Sequence, residues 1–260
     1  MIYIEEESRL EQLGFVDLQE ALKKEEAISF INLCVNTKTI TLIGGQSMVG
    51  KTVICLHIAN RCVSQRIKVA YFDTDKRPIT NRPEPNLLKY FQTNNPQGYK
   101  DYFMYSNNFY EKNILEVIAT CKPKVVIIDS IYSPYVEKYP KSPRQRAKAI
   151  RMFLMRLRDL MFEHNVAVIL TTQVGKELNS SMDGHEMISY ILGGEGLKHL
   201  SDCKWILDFK SANKGDVPSD RKYGEESRYL FIDRQEIIAL TIGYGGFIRK
   251  MERTERVIGE

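Results

Sequence analysis

Apolar and polar positions in this chain follow two rhythms that take turns. Short dense runs come first: Thr39 to Gly44, Val69 to Phe72, Tyr102 to Tyr105, Lys124 to Asp129 and Val166 to Thr172. Their β-branched and aromatic content is that of strands buried on both faces. Between them, 51–64, 113–121 and 145–163 carry helical spacing. In the last, Ala147, Ile150, Leu154, Leu157 and Met161 recur every three or four residues and predict one apolar face. Strands alternating with helices in this way predict βαβ crossovers, hence an α/β fold with a mostly parallel sheet covered by helices.

The last third changes character. Trp205, Leu207 and Phe209 alternate with other residues, and the runs Tyr229 to Ile232 and Ile237 to Ile242 follow; all three read as antiparallel strands extending the sheet. Ser211 to Ser227, rich in Gly, Pro, Ser and charge, reads as a long exposed loop. Residues 1–38 mix charged and apolar positions at helical spacing, notably Leu18, Ala21, Leu22 and Ile28 to Leu33. They are expected to form a short helical lead-in to one domain over 39–260.

Composition narrows the class. With 260 residues and 43% hydrophobic content the chain can bury a sizeable core. No apolar run reaches the roughly 18–20 residues a membrane span needs, and the acidic start Met1 to Glu7 is unlike a signal peptide. A soluble cytoplasmic protein is the expectation. Cys34, Cys55, Cys62, Cys121 and Cys203 show no CxxC spacing and read as reduced thiols, and His57, His164, His185 and His199 are scattered. Net charge is only +4, yet from Lys141 to Arg158 there are seven basic residues and no acidic one. Such a cluster favours a polyanion even on a nearly neutral chain.

Between the first strand and its helix stands Gly45-Gln46-Ser47-Met48-Val49-Gly50-Lys51-Thr52, which fits the phosphate-loop pattern GxxxxGK[ST] (Walker A) in the strand–loop–helix setting that pattern requires. Its backbone N–H groups would wrap the phosphates of a nucleotide. Lys51 would reach the β- and γ-phosphates, and the Thr52 hydroxyl would ligand Mg²⁺. Against this stands a chance glycine turn before a helix.

In open α/β sheets, ligands sit beyond the carboxyl ends of the strands, and three of those ends are polar. Val125 to Ile128 ends in Asp129, which suits a Mg²⁺-holding acid, the Walker B residue, or else a turn after a strand. Val69 to Phe72 ends in Asp73-Thr74-Asp75, where a carboxylate could activate the attacking water or could simply belong to a solvated turn. Val166 to Leu170 ends in Thr171-Thr172-Gln173; Gln173 could sense the γ-phosphate or be a plain strand-end residue.

Taken together these segments resemble the RecA-type recombinases, and within them the archaeal RadA group with its RadB-like paralogues. Val69 to Asp75 is similar to that family's YIDTE strand end. Arg144-Gln145-Arg146, a helix and then Val166 to Val174 resemble its RQ-helix followed by GVAVVITNQV, and Gly193 to Asp202 resembles its GG-x-x-L-x-H segment. The match runs over roughly 39–210 in the family's order. It implies a RecA-like phosphate-loop ATPase core using ATP and Mg²⁺, with Asp75 in the place of the catalytic carboxylate and Gln173 in that of the sensor. It also implies two loops facing DNA, about Ile131 to Arg146 and Gly175 to Leu192, coupled to nucleotide state by their positions after Asp129 and Gln173.

Departures from the family shape the expected activity. Asp75 stands where the family has Glu, the LLGGGI segment before the phosphate loop is replaced by Ile28 to Asn36, and residues 1–38 hold neither a helix-hairpin-helix domain nor a clear F-x-x-A motif. The expectation is an accessory recombinase paralogue in homologous recombination and repair that hydrolyses ATP slowly. It would grip single-stranded DNA through Lys141, Arg144 and Arg146, with Tyr132, Tyr135 and Tyr139 nearby to stack on bases, and would work with a recombinase or other repair protein or as a homo-oligomer. A DnaB-like hexameric helicase motor and a KaiC-like regulatory ATPase without DNA are the alternatives.

Overall fold

A computed structural model describes residues 36–47, 49–74, 96–107, 109–174, 191–209, 226–232, 236–242 and 248–254. The expected lead-in over 1–38, all but its last three residues, and most of the expected loop over 211–227 lie outside them.

Among the described residues the order is β1 (Ile40–Gly45), α1 (Lys51–Ser64), β2 (Val69–Asp73), α2 (Pro96–Tyr102), β3 (Phe103–Ser106), α3 (Glu111–Cys121), β4 (Val125–Asp129), α4 (Ser133–Lys138), α5 (Pro143–His164), β5 (Ala167–Gln173), α6 (Glu195–Leu200), β6 (Cys203–Phe209), β7 (Glu226–Ile232), β8 (Glu236–Ile242) and β9 (Ile248–Thr254). They build one sheet in the order β3-β2-β4-β5-β1-β6-β7-β8-β9. From β3 to β6 every pairing is parallel; from β6 to β9 every pairing is antiparallel. The strand containing Trp205 therefore differs from expectation. It pairs in parallel with β1, Ile43 opposite Trp205, and the reversal begins one strand later.

Side chains alternate across this sheet with period two. Ile43, Tyr71, Ile127, Ile169 and Trp205 face α1, while Leu42, Ala70, Phe72, Val126, Ile128, Val168 and Leu170 join the apolar faces of α3 and α5. Both faces of the parallel strands are thus buried, which is why β1, β2 and β4 read as unbroken apolar runs. On α5 the core-facing residues are Ile150, Phe153, Leu154, Leu157 and Met161, one contiguous stripe.

The stretch expected as a first DNA loop is largely helical. It contains α4 and the first turn of α5, and both begin at a Ser-Pro pair. Proline fits the first turn of a helix because its missing N–H would have no partner there. At α5 the Ser142 side chain caps the Gln145 N–H at 3.3 Å. No helix among the described residues is long and apolar enough to cross a membrane.

Candidate functional site

The carboxyl ends of β1, β2, β4 and β5 meet at one place, and the phosphate-loop segment crosses above it. Gly45 ends β1 where β6 runs so close that any side chain would strike the Leu207 carbonyl. Val49 is fully buried and anchors the loop in the α1-side core. Gly50, the N-cap of α1, has φ 106°, a left-handed conformation that glycine adopts without strain. No cap bond from a side chain and no acidic residue occupy the start of α1. Its first N–H groups and positive dipole end therefore face the loop interior, a setting that suits phosphate. Lys51 Nζ donates to Gly45 O at 3.0 Å and Gln46 O at 2.7 Å, so its ammonium lies over the start of its own loop. In the loop Gln46 is half-buried and Ser47 exposed, and Met48 falls outside the described residues.

Asp129 is the hub beneath the loop. It is 1% exposed, and three hydroxyls from three elements donate to it. Thr52 on α1 donates to Oδ2 at 2.7 Å, Tyr71 on β2 to Oδ2 at 3.0 Å, and Thr171 on β5 to Oδ1. The alternation of the sheet explains the convergence, because Tyr71, Asp129 and Thr171 continue the same-face series as Ile127 and Ile169. Burial, with Asp129 close by, pushes the Tyr71 phenol well above its ordinary range, which keeps it a proton donor. The hydroxyl–carboxylate pair of Thr52 and Asp129 offers hard oxygen donors of the kind Mg²⁺ takes, beside a loop suited to phosphate. The residues present fit a nucleotide with its cation.

Beside this hub the ends of β2 and β4 are clamped together. Thr74 N donates to Asp129 O, Thr74 Oγ1 donates to Ser130 O, and Ser130 N donates back to Thr74 Oγ1, all within 2.8 Å. Asp73 is buried and accepts from Tyr105 at 3.2 Å. Asp75, the expected catalytic carboxylate, lies just outside the described residues. Gln173 ends β5 in register with Gly45, exposed, and its carbonyl accepts from Leu192 N at 2.8 Å. The expected second DNA loop leaves and returns through an antiparallel bridge between Val174 and Ile191; 175–190 lie outside the described residues.

The expected DNA-contacting residues separate into two kinds. Lys141 and Arg144 are exposed at the start of α5. Arg146 is half-buried and donates from one nitrogen to Tyr139 O and Pro140 O, both at 2.9 Å, with its guanidinium 5.6 Å from the Tyr132 ring. Its geometry is that of a brace for the turn between α4 and α5. Tyr135, expected among the base-stacking tyrosines, is instead 1% exposed and donates to Glu111 Oε1 at 2.9 Å. Its helical spacing after the Ser-Pro start was the signal that places it in the core.

Sequence reasoning missed Tyr71 and Thr171 as partners of Asp129. Period-two alternation from Asp129's strand to its two neighbours held that signal, but only once strand order was known.

Three comparisons bear on this arrangement. The family described as an AAA domain matches residues 4–179. The DNA repair and recombination protein RadB of Archaeoglobus fulgidus is 29% identical over 189 residues, covering 69% of this chain and 78% of that protein. Among solved structures, a KaiC-like protein from the hyperthermophilic archaeon Pyrococcus horikoshii OT3 superposes with a TM-score of 0.52 at 17% identity, covering 84% of this chain and 90% of its own. That likeness is one of fold, and the fold is RecA-like.

Proposed function

The chain belongs to the AAA domain family, and from that premise we propose that it is a DNA-binding, ATP-hydrolysing recombinase paralogue that assists homologous recombination and repair. The observation that carries the nucleotide half of this reading is the bond from Thr52 to Asp129, which joins the phosphate loop to the buried acid at the strand ends. In this reading Lys51 counters phosphate charge, and Thr52 and Asp129 hold Mg²⁺. The ion's contribution is to neutralise charge on the phosphate oxygens. Asp75 orients the attacking water, and Gln173 senses the γ-phosphate. Being one methylene shorter than glutamate, Asp75 aligns that water less well, so turnover is slow.

The DNA half draws support from the similarity to a DNA repair and recombination protein over 69% of the chain and from the run of basic residues between Lys141 and Arg158. Lys141 and Arg144 contact the phosphates of single-stranded DNA in this reading. Arg146 and Tyr135, being engaged inside the protein, hold the shape of that surface. The same engagement favours a second reading, a KaiC-like regulatory ATPase that works without DNA.

ATP hydrolysis measured with and without single-stranded DNA, alongside the mass in solution, separates the two. DNA-stimulated turnover supports the recombinase paralogue; turnover indifferent to DNA supports the regulatory module. Strand displacement from a forked duplex would replace both with a helicase motor.

A further inference from the structure

Tyr71 stands in the middle of β2, opposite Ile127 on β4 and Tyr105 on β3, and is 1% exposed. Its ring contacts Phe103 and Tyr105 at centroid distances of 6.2 Å, tilted by 47° to the first and 25° to the second. A phenyl ring would serve that packing equally well, so the hydroxyl calls for its own account. A buried phenol usually finds a partner. This one donates to Asp129 Oδ2, the same oxygen that accepts from Thr52, while Thr171 takes Oδ1.

A carboxylate offers about four acceptor positions, two on each oxygen. Both positions of Oδ2 are thus filled from within the protein. The torsion that rotates a carboxylate group is soft, with broad wells. Here Tyr71 from one flanking strand and Thr171 from the other hold Asp129 from opposite sides, which fixes that rotation independently of Thr52.

We propose that Tyr71 is a positioning residue for divalent-cation binding: its hydroxyl locks the rotation of the Asp129 carboxylate, so that Oδ2 holds Thr52 Oγ1 aimed at the cation. This rests on the nucleotide and Mg²⁺ reading above. Asp129 then helps hold the cation in part by orienting Thr52, and Tyr71 acts through Asp129 without touching nucleotide or cation. Partners of this outer kind matter, since removing one typically weakens metal affinity or activity by roughly 10–100-fold.

The test uses the 260-residue chain and a fluorescent ATP analogue, titrated in chelator and then with Mg²⁺. Wild type is expected to gain affinity as Mg²⁺ is added. Tyr71→Phe keeps the ring; its affinity in chelator should equal wild type, while its Mg²⁺ midpoint rises roughly tenfold. Thr171→Val, acting through the other oxygen, should move the midpoint in the same direction. With Mn²⁺ in place of Mg²⁺, the electron paramagnetic resonance spectrum of the bound ion should broaden in Tyr71→Phe as its site loses definition. An unchanged Mg²⁺ midpoint in Tyr71→Phe overturns the positioning role and leaves the nucleotide reading intact. Loss of binding in chelator as well also overturns it, because the hydroxyl then supports the loop or the fold. A wild-type protein with no Mg²⁺-dependent gain overturns both.

Discussion

Thr52 Oγ1 donates to Asp129 Oδ2 across 2.7 Å and joins two residues 77 positions apart in the chain. The contact exists because β1 and β4 end at the same edge of a parallel sheet with β5 between them, and because Asp129 points to the face that α1 covers.

Lys51→Ala is expected to abolish productive ATP binding or turnover and to leave the fold intact. The Lys51 ammonium bonds to the loop carbonyls of Gly45 and Gln46, and the residue takes no part in either apolar cluster. Isothermal binding of ATP with Mg²⁺, run beside thermal melting, checks it. Wild-type turnover in the variant would exclude this loop as the motor.

Asp75→Asn should lower hydrolysis by on the order of 100-fold while ATP binding persists, and Asp75→Glu should raise turnover. Asn cannot accept the water's proton, a role worth roughly 100- to 10,000-fold. Glu restores the methylene whose absence misplaces the water, and about 1 Å of misplacement costs on the order of 100-fold. The Thr74 clamp onto Asp129 and Ser130 sets the point from which the chain departs toward Asp75. Single-turnover kinetics separates the chemical step from binding. Normal hydrolysis by Asp75→Asn would move the base elsewhere.

What the sequence made legible divides by range. The strand–loop–helix at 40–64 and the apolar stripe of α5 are local patterns, and both are where the periodicity predicts them. The parallel pairing of β6 with β1 was not legible, since an alternating strand reads the same whichever neighbour it takes. The engagement of Arg146 was hidden for a related reason. A basic residue at a helix start looks free in sequence, and only the fold of 132–140 brings two carbonyls to its guanidinium. The same limit hid Tyr71, whose role depends on a residue 58 positions away.

Acidification should destabilise the protein through His57. Burial in α1, with Arg61 one turn on, lowers its pKa from 6.5 to about 4. The unfolded chain therefore takes up a proton near pH 6.5 that the folded protein refuses until about pH 4. Stability is full above the first value and falls as pH drops through the window between them. The loss is on the order of 3 kcal/mol at the bottom of that window. His57→Gln should flatten this part of the pH–stability curve in urea titrations at pH 7 and pH 4.5. An equal slope in variant and wild type would assign the acid sensitivity to other groups.

The DNA prediction follows from separating Lys141 and Arg144 from Arg146. The first two are exposed, whereas Arg146 braces the α4–α5 turn through Tyr139, Pro140 and Tyr132. Each phosphate contact on a single strand contributes about 0.7 to the slope of log affinity against log salt. Replacing Lys141 and Arg144 together with Ala should therefore weaken single-stranded DNA binding and reduce the slope by about 1.4 units. The melting temperature should stay unchanged, because neither side chain is buried. Arg146→Ala should behave differently, lowering thermal stability and loosening the turn, with any loss of DNA affinity carrying little change in slope. Binding isotherms across a salt series, with melting curves for each variant, distinguish the two patterns. If the double variant keeps wild-type affinity and slope, the start of α5 lies off the DNA path and the regulatory-module reading gains. If Arg146→Ala alone flattens the slope, its guanidinium leaves the brace to meet phosphate.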